Sequence, residues 1–115
     1  MESFFTQNHA GNAEKIFDAI KGYSAKGGRA VTKTLLELYY VMVDKTTPNT
    51  DRILIGAALA YQVLPQDLLP KSKFGLLGFL DNAAALAFVY KKVKNSITPE
   101  ISFRVNSTLN KWFHM

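Results

Sequence analysis

Two aspartates, Asp67 and Asp81, are the residues best placed for chemistry in this chain. They lie in the stretch Tyr61–Leu86, YQVLPQDLLPKSKFGLLGFLDNAAAL, which joins two very apolar segments through two prolines and two glycines. A chemical site here, for a cation or a hydrolytic reaction, needs both carboxylates to converge across the turn. The same residues also serve a purely structural purpose. Asp67 can turn the chain by accepting backbone N–H groups two residues on. Asp81 is placed to N-cap the helix that follows it. The prolines fix the path of the connector, and the glycines permit tight turns. Tyr61, Pro65, Asp67, Pro70, Gly78, Asp81 and Asn82 therefore read best as a structural corner between two packed helices.

Other chemistry is sparse. His9 and His114 stand at opposite ends of the chain, and neither belongs to a metal-ligand spacing. No nucleophile elbow, HExxH pair or glycine-rich dinucleotide loop occurs. Gly27-Gly28 beside Arg29 could cradle a phosphate at a helix start. It lacks P-loop spacing and a preceding strand, so a plain turn is the better reading. No catalytic residue, metal ligand or cofactor is assigned, and an enzyme is not expected.

The 115 residues suit one domain with a real core. Hydrophobic residues make up 48% and charged residues 20%, which argues against a disordered chain. The absence of cysteine removes disulfides, thiolate nucleophiles and cysteine-ligated zinc together. It fits a reducing, cytoplasmic location. The net charge of +5 favours anionic partners, but the lysines are scattered and a solvated surface explains most of them. Met1 to Ala10 lacks a basic start followed by an apolar run, so it reads as an N-terminal arm and not a signal peptide.

The rest, 11–115, reads as a single all-α domain, a compact bundle of about five helices with an irregular Pro/Gly connector between helices 3 and 4. Asn12 or Asn8 caps the first helix, whose stripe is Ala13, Ile16, Phe17 and Ile20. It is expected to stop near Gly22–Ser24, with a loop at 25–28. Arg29 to Asp44 forms the second helix, with Val31, Leu35, Leu38, Tyr39 and Met42 on one stripe and Leu36, Tyr40 and Val43 widening it. A helix this apolar is central to a bundle or faces a partner. Pro48 opens the third helix, and Asp51 suits its positive end. Ile53 to Leu64 is almost wholly apolar, but its dozen residues fall short of the roughly 20 needed to span a bilayer. Asp81 starts the fourth helix, which ends on lysines. Thr98-Pro99-Glu100 starts the last, with Ile101, Val105, Leu109 and Trp112 on one face and Phe103 off it.

The pattern Tyr61-x-x-x-Pro65-x-Asp67-x-x-Pro70, then Gly78-x-x-Asp81, resembles the YkvA-like family, domain of unknown function 1232. The resemblance runs over a core of roughly 52–89. It implies a small helical domain of bacteria, archaea and plants, with no activity to carry over. The chain departs from the family pattern at Lys71 and Asn82, where that pattern has aspartates, and the loop between Pro70 and Gly78 is one residue longer. If the family's aspartates hold a divalent cation, only Asp67, Asp81 and the carbonyl of Asn82 remain here as ligands. The Lys71 ammonium would oppose the ion, so such a site is degenerate.

The expected function is that of a small non-enzymatic helical interaction or scaffold module, binding an unknown protein partner or itself. One alternative is membrane association through an apolar helical hairpin over 53–90, docked on an anionic surface. Asp81 inside that segment costs roughly 2.5–3.5 kcal/mol at a bilayer centre, which disfavours spanning. The other alternative is the degenerate cation site at Asp67/Asp81. Nucleic-acid binding is not expected, because Lys91, Lys92, Lys94, Arg104 and Lys111 make only a loose basic stripe.

Overall fold

A glycine decides the topology. In the computed structural model, which describes residues 9–63 and 82–113, the chain is helical from His9 to Val43 (α1) except at Gly28. There the backbone takes φ 79° and ψ 177°, a conformation open essentially to glycine alone. The result is a sharp reversal. Phe17 and Tyr39 are 22 residues apart, which is about 33 Å along a straight helix, yet their ring centroids lie 5.1 Å apart. α1 is thus two antiparallel arms, 9–27 and 29–43, closed face to face.

Three further α-helices complete the described residues: α2 (Asn49–Val63), α3 (Asn82–Val93) and α4 (Pro99–Trp112), with a 3-10 turn at Lys94–Ser96. The all-α expectation holds, with four helices in place of about five. The difference lies in the first two, which run as one span interrupted only at Gly28. The expected stop at Gly22–Ser24 and loop at 25–28 are not seen. The helix passes through Gly22, and the Ser24 hydroxyl donates back to the Lys21 carbonyl at 2.6 Å. Asn12 lies inside α1 and cannot cap it, and Asn8 lies outside the described residues.

Each helix is placed by its apolar face. Ile16 and Ile20 from the first arm of α1 and Leu35, Leu38 and Met42 from the second are fully buried. Leu36 and Val41 are buried too, so the wide apolar surface of the second arm is central to the bundle. Val31, expected on that stripe, is 37% exposed because it sits one turn after the reversal. In α2 every residue from Ile55 to Ala60 is buried, as a core helix packed on both α1 and α3 requires. Pro48 precedes α2, and its carbonyl accepts the Arg52 N–H at 3.0 Å. In α4, Ile101, Val105 and Leu109 are buried against α1, and Trp112 stacks on Phe17 with centroids 5.3 Å apart. The start signal of α4 reads as expected: Thr98 Oγ1 accepts the Ile101 N–H at 3.2 Å, with Pro99 and Glu100 in the first turn.

Gly27 has a separate use. A Cβ there would lie 2.6 Å from the Tyr23 ring, so the missing side chain lets that ring lie over the backbone. The Tyr23 hydroxyl then accepts Nε2–H of Gln62 from α2 at 3.0 Å.

Gly22 and Gly28 of α1 are separable by substitution. Gly28→Ala has open space for its methyl but the wrong backbone, and it should destabilise by about 1–3 kcal/mol. Gly22→Ala also has open space, on ordinary helical backbone, and should stabilise by about 0.5–1 kcal/mol. Urea unfolding of the two variants checks this contrast. Equal effects would contradict the reversal.

Candidate functional site

Of the corner residues, Tyr61 lies near the end of α2, half-buried and packed against the core. Asn82 opens α3. Pro65, Asp67, Pro70, Gly78 and Asp81 lie outside the described residues, so the convergence of Asp67 with Asp81 is not among the facts of this structure.

Between α1 and α3 lies a polar juxtaposition that no local sequence pattern marks. Glu37, in the second arm of α1, is only 7% exposed. Its carboxylate lies 3.9 Å from Lys33 Nζ, one turn earlier. From the opposite helix, α3, the Tyr90 hydroxyl faces it. Burial, followed by the negative charge of Glu37, raises the Tyr90 pKa, so the phenol stays protonated. A buried carboxylate needs such partners, since leaving it bare costs more than the contacts return. The signal was present in the sequence as one acid in the apolar run Leu35-Leu36-Glu37-Leu38. The arrangement orients two helices. Among the described residues no group of three or more acidic or histidine side chains could hold a metal.

A second polar cluster fixes the α1–α2 turn. Asp44 Oδ1 accepts the Thr46 N–H at 2.8 Å and the Thr46 hydroxyl at 2.6 Å. These bonds hold the Asp44 carboxyl below its ordinary pKa. Arg52, in the first turn of α2, donates from Nε to the Thr47 carbonyl at 3.0 Å and from a terminal nitrogen to the Asp44 carbonyl at 2.7 Å. The buried Thr47 donates to the Val41 carbonyl at 2.6 Å. Carbonyls freed at the end of α1 are thereby satisfied by a side chain of the next helix.

Aromatic residues line the contact of α1 with α4. Tyr39 packs edge-on against Tyr40, and the Arg104 guanidinium lies 5.1 Å over the Tyr40 ring. The Tyr40 hydroxyl bonds the Thr108 hydroxyl at 2.9 Å. Burial raises the Tyr39 pKa. A shallow cleft beside this contact is lined by Tyr40, Phe103, Arg104, Ser107 and Thr108. Another joins Lys21 and Ser24 to Lys111 and Trp112. Both are open depressions formed where helices meet.

Among the described residues, two large apolar residues besides Val31 are exposed. Phe103 on α4 is 64% exposed, off the buried face as its spacing predicts, and Phe88 on α3 is 53% exposed. Around α3 the burial follows one helical face, with Ala85, Val89 and Val93 inside and Ala84, Ala87, Phe88, Lys91 and Lys92 outside. No helix among the described residues is long and apolar enough to cross a membrane.

Residues 51–88 match the family model described as "Protein of unknown function (DUF1232)". The resemblance read from Tyr61 to Asp81 is borne out over that segment. No curated protein and no solved structure matches the chain.

Arg52 and Asp44 give a test of the turn. Arg52→Ala should cost about 1.5–3 kcal/mol, the range for a hydrogen bond to a charged group. Arg52→Lys should recover only part, because an ammonium cannot reach two carbonyls as a fork. The Asp44 carboxyl should titrate below the ordinary aspartate value of about 3.9. Its folded pKa is the lower one, so its contribution to stability is full above the unfolded value and is lost as pH falls through the folded value. An NMR titration should show that midpoint moving up in Thr46→Val. An unmoved midpoint would contradict the hydroxyl's part in it.

Proposed function

We propose that this chain is a small non-enzymatic helical interaction module, docking through the outward face of α3 with Phe88 at its centre. The observation that carries this reading is the exposure of Phe88 on a helix whose opposite face is fully packed. The apolar surface of the second α1 arm is consumed by the bundle's own core, so it is not the docking face. Phe88 stands between Ala84 and Ala87 on one side and Lys91 and Lys92 on the other. The alanines let a partner surface approach the helix closely. Covering a phenylalanine side chain completely is worth about 1.5–3 kcal/mol, of which roughly half is still to be gained here. The packing of α3 fits the same reading. Ala85, Val89 and Val93 seat it in the core, so Phe88 on the opposite face is presented outward. The cysteine-free composition fits action in the cytoplasm.

Site-specific photo-crosslinking tests the reading. A benzophenone side chain placed at position 88 should give an adduct in the cell that makes the protein. The same probe at Lys15, on the exposed side of α1, should give none. The adduct at 88 should fall strongly in the Lys91→Glu/Lys92→Glu variant, with the fold checked by circular dichroism. No adduct at 88, or equal labelling from both positions, would contradict it.

A further inference from the structure

We infer that the surface docking on α3 is an anionic lipid bilayer, with Phe88 entering the headgroup boundary and Lys91, Lys92 and Lys94 meeting the lipid charge. This rests on the docking reading given above and names its partner. The first observation is charge. From Asn82 to Ser96 the chain has three lysines and no acidic residue. Lys91, Lys92 and Lys94 are all exposed. At 100° per residue, Lys91 and Lys92 fall about 60° to one side of Phe88 and 40° to the other. The aromatic ring is therefore bracketed by cations in the middle of the exposed arc, and the arc is complementary to negative charge.

The second observation is composition. The exposed arc belongs to one helix, and exposed Lys91 and Lys92 flank Phe88 on it. A protein interface of ordinary strength wants a shaped, charge-depleted centre, and lysine is scarce there. A bilayer surface asks for neither. Lysine stems lie along the apolar boundary while their ammonium groups reach the phosphates, and a phenylalanine between them partitions into the boundary. The exposed Phe103 is a useful contrast. Around α4 it is neighboured by the neutral Ser102, Asn106, Ser107 and Asn110 and by one cation, Arg104, which lies over the Tyr40 ring, so no pair of cations brackets it.

The attachment is shallow. No described helix is long and apolar enough to cross a membrane, and the core helix α2 keeps Ile55 to Ala60 inside the protein. Three cations and one aromatic ring make a reversible contact, with each lysine near the surface changing affinity by about fivefold.

Vesicle co-sedimentation of the full chain tests the inference. Vesicles of equal parts phosphatidylglycerol and phosphatidylcholine should bind the protein, and phosphatidylcholine alone should not. Salt at about 1 M, where the screening length falls to about 3 Å, should release it. Lys91→Gln/Lys92→Gln should weaken binding by about 25-fold, and Phe88→Ala by about fivefold. Phe103→Ala should leave it unchanged. All four positions are exposed, and circular dichroism of each variant confirms that the fold persists. Absence of binding to the anionic vesicles, or binding that the α3 variants do not weaken, overturns the inference. A crosslink from position 88 to a protein, together with no vesicle binding, also overturns it and leaves the docking reading standing. Loss of both the crosslink and the vesicle binding removes the two together.

Discussion

The reversal at Gly28 is the constraint on which the rest of the fold depends. It turns a 35-residue helical span back on itself and closes Phe17 on Tyr39. Those rings, with Trp112, join the two arms to α4. The second arm, now interior, offers Leu35, Leu36, Leu38, Val41 and Met42 to the shared core. A straight helix would present that surface to solvent, and α4 would lose the Phe17–Tyr39 pair against which Trp112 packs. The free energy stored in one unusual backbone conformation is small beside the burial that it makes possible.

Polar residues fix the joints of this bundle. Thr32, buried next to the reversal, donates to the Gly28 carbonyl at 2.7 Å. Arg52 and Thr47 hold the carbonyls at the end of α1. Glu37 of α1 and Tyr90 of α3 face each other. Phe88 and its lysines stand apart from these joints, on the outer face of α3.

Much of this was legible in the sequence for definite reasons. α4 carries a complete start signal at Thr98-Pro99-Glu100 and a clean stripe, and both are seen. The burial of α2 follows from an apolar run too short to span a bilayer. The break in α1 falls at the end of the expected loop at 25–28 and is confined to one residue, because composition cannot say which of Gly22, Gly27 and Gly28 takes positive φ. Only Gly28 does, while Gly22 stays helical and Gly27 makes room for Tyr23. The juxtaposition of Glu37 with Tyr90 is not legible in the sequence, because the two lie 53 residues apart and no local pattern joins them. The outer face of α3 proposed for docking is not legible for a related reason. The apolar count is highest in the second arm of α1, whereas exposure depends on which faces other helices cover. The corner residues Pro65 to Asp81 were read from spacing and family resemblance, and they lie outside the described residues.

The central claim is that α1 doubles back at Gly28, and NMR on the unmodified protein tests it directly. Nuclear Overhauser contacts between the ring protons of Phe17 and Tyr39 should be strong, since the centroids lie 5.1 Å apart. They should be accompanied by a break in the sequential helical contacts at Gly28. Unbroken helical contacts from Gly27 through Arg29, with no Phe17–Tyr39 contact, would mean a straight helix and would contradict the account.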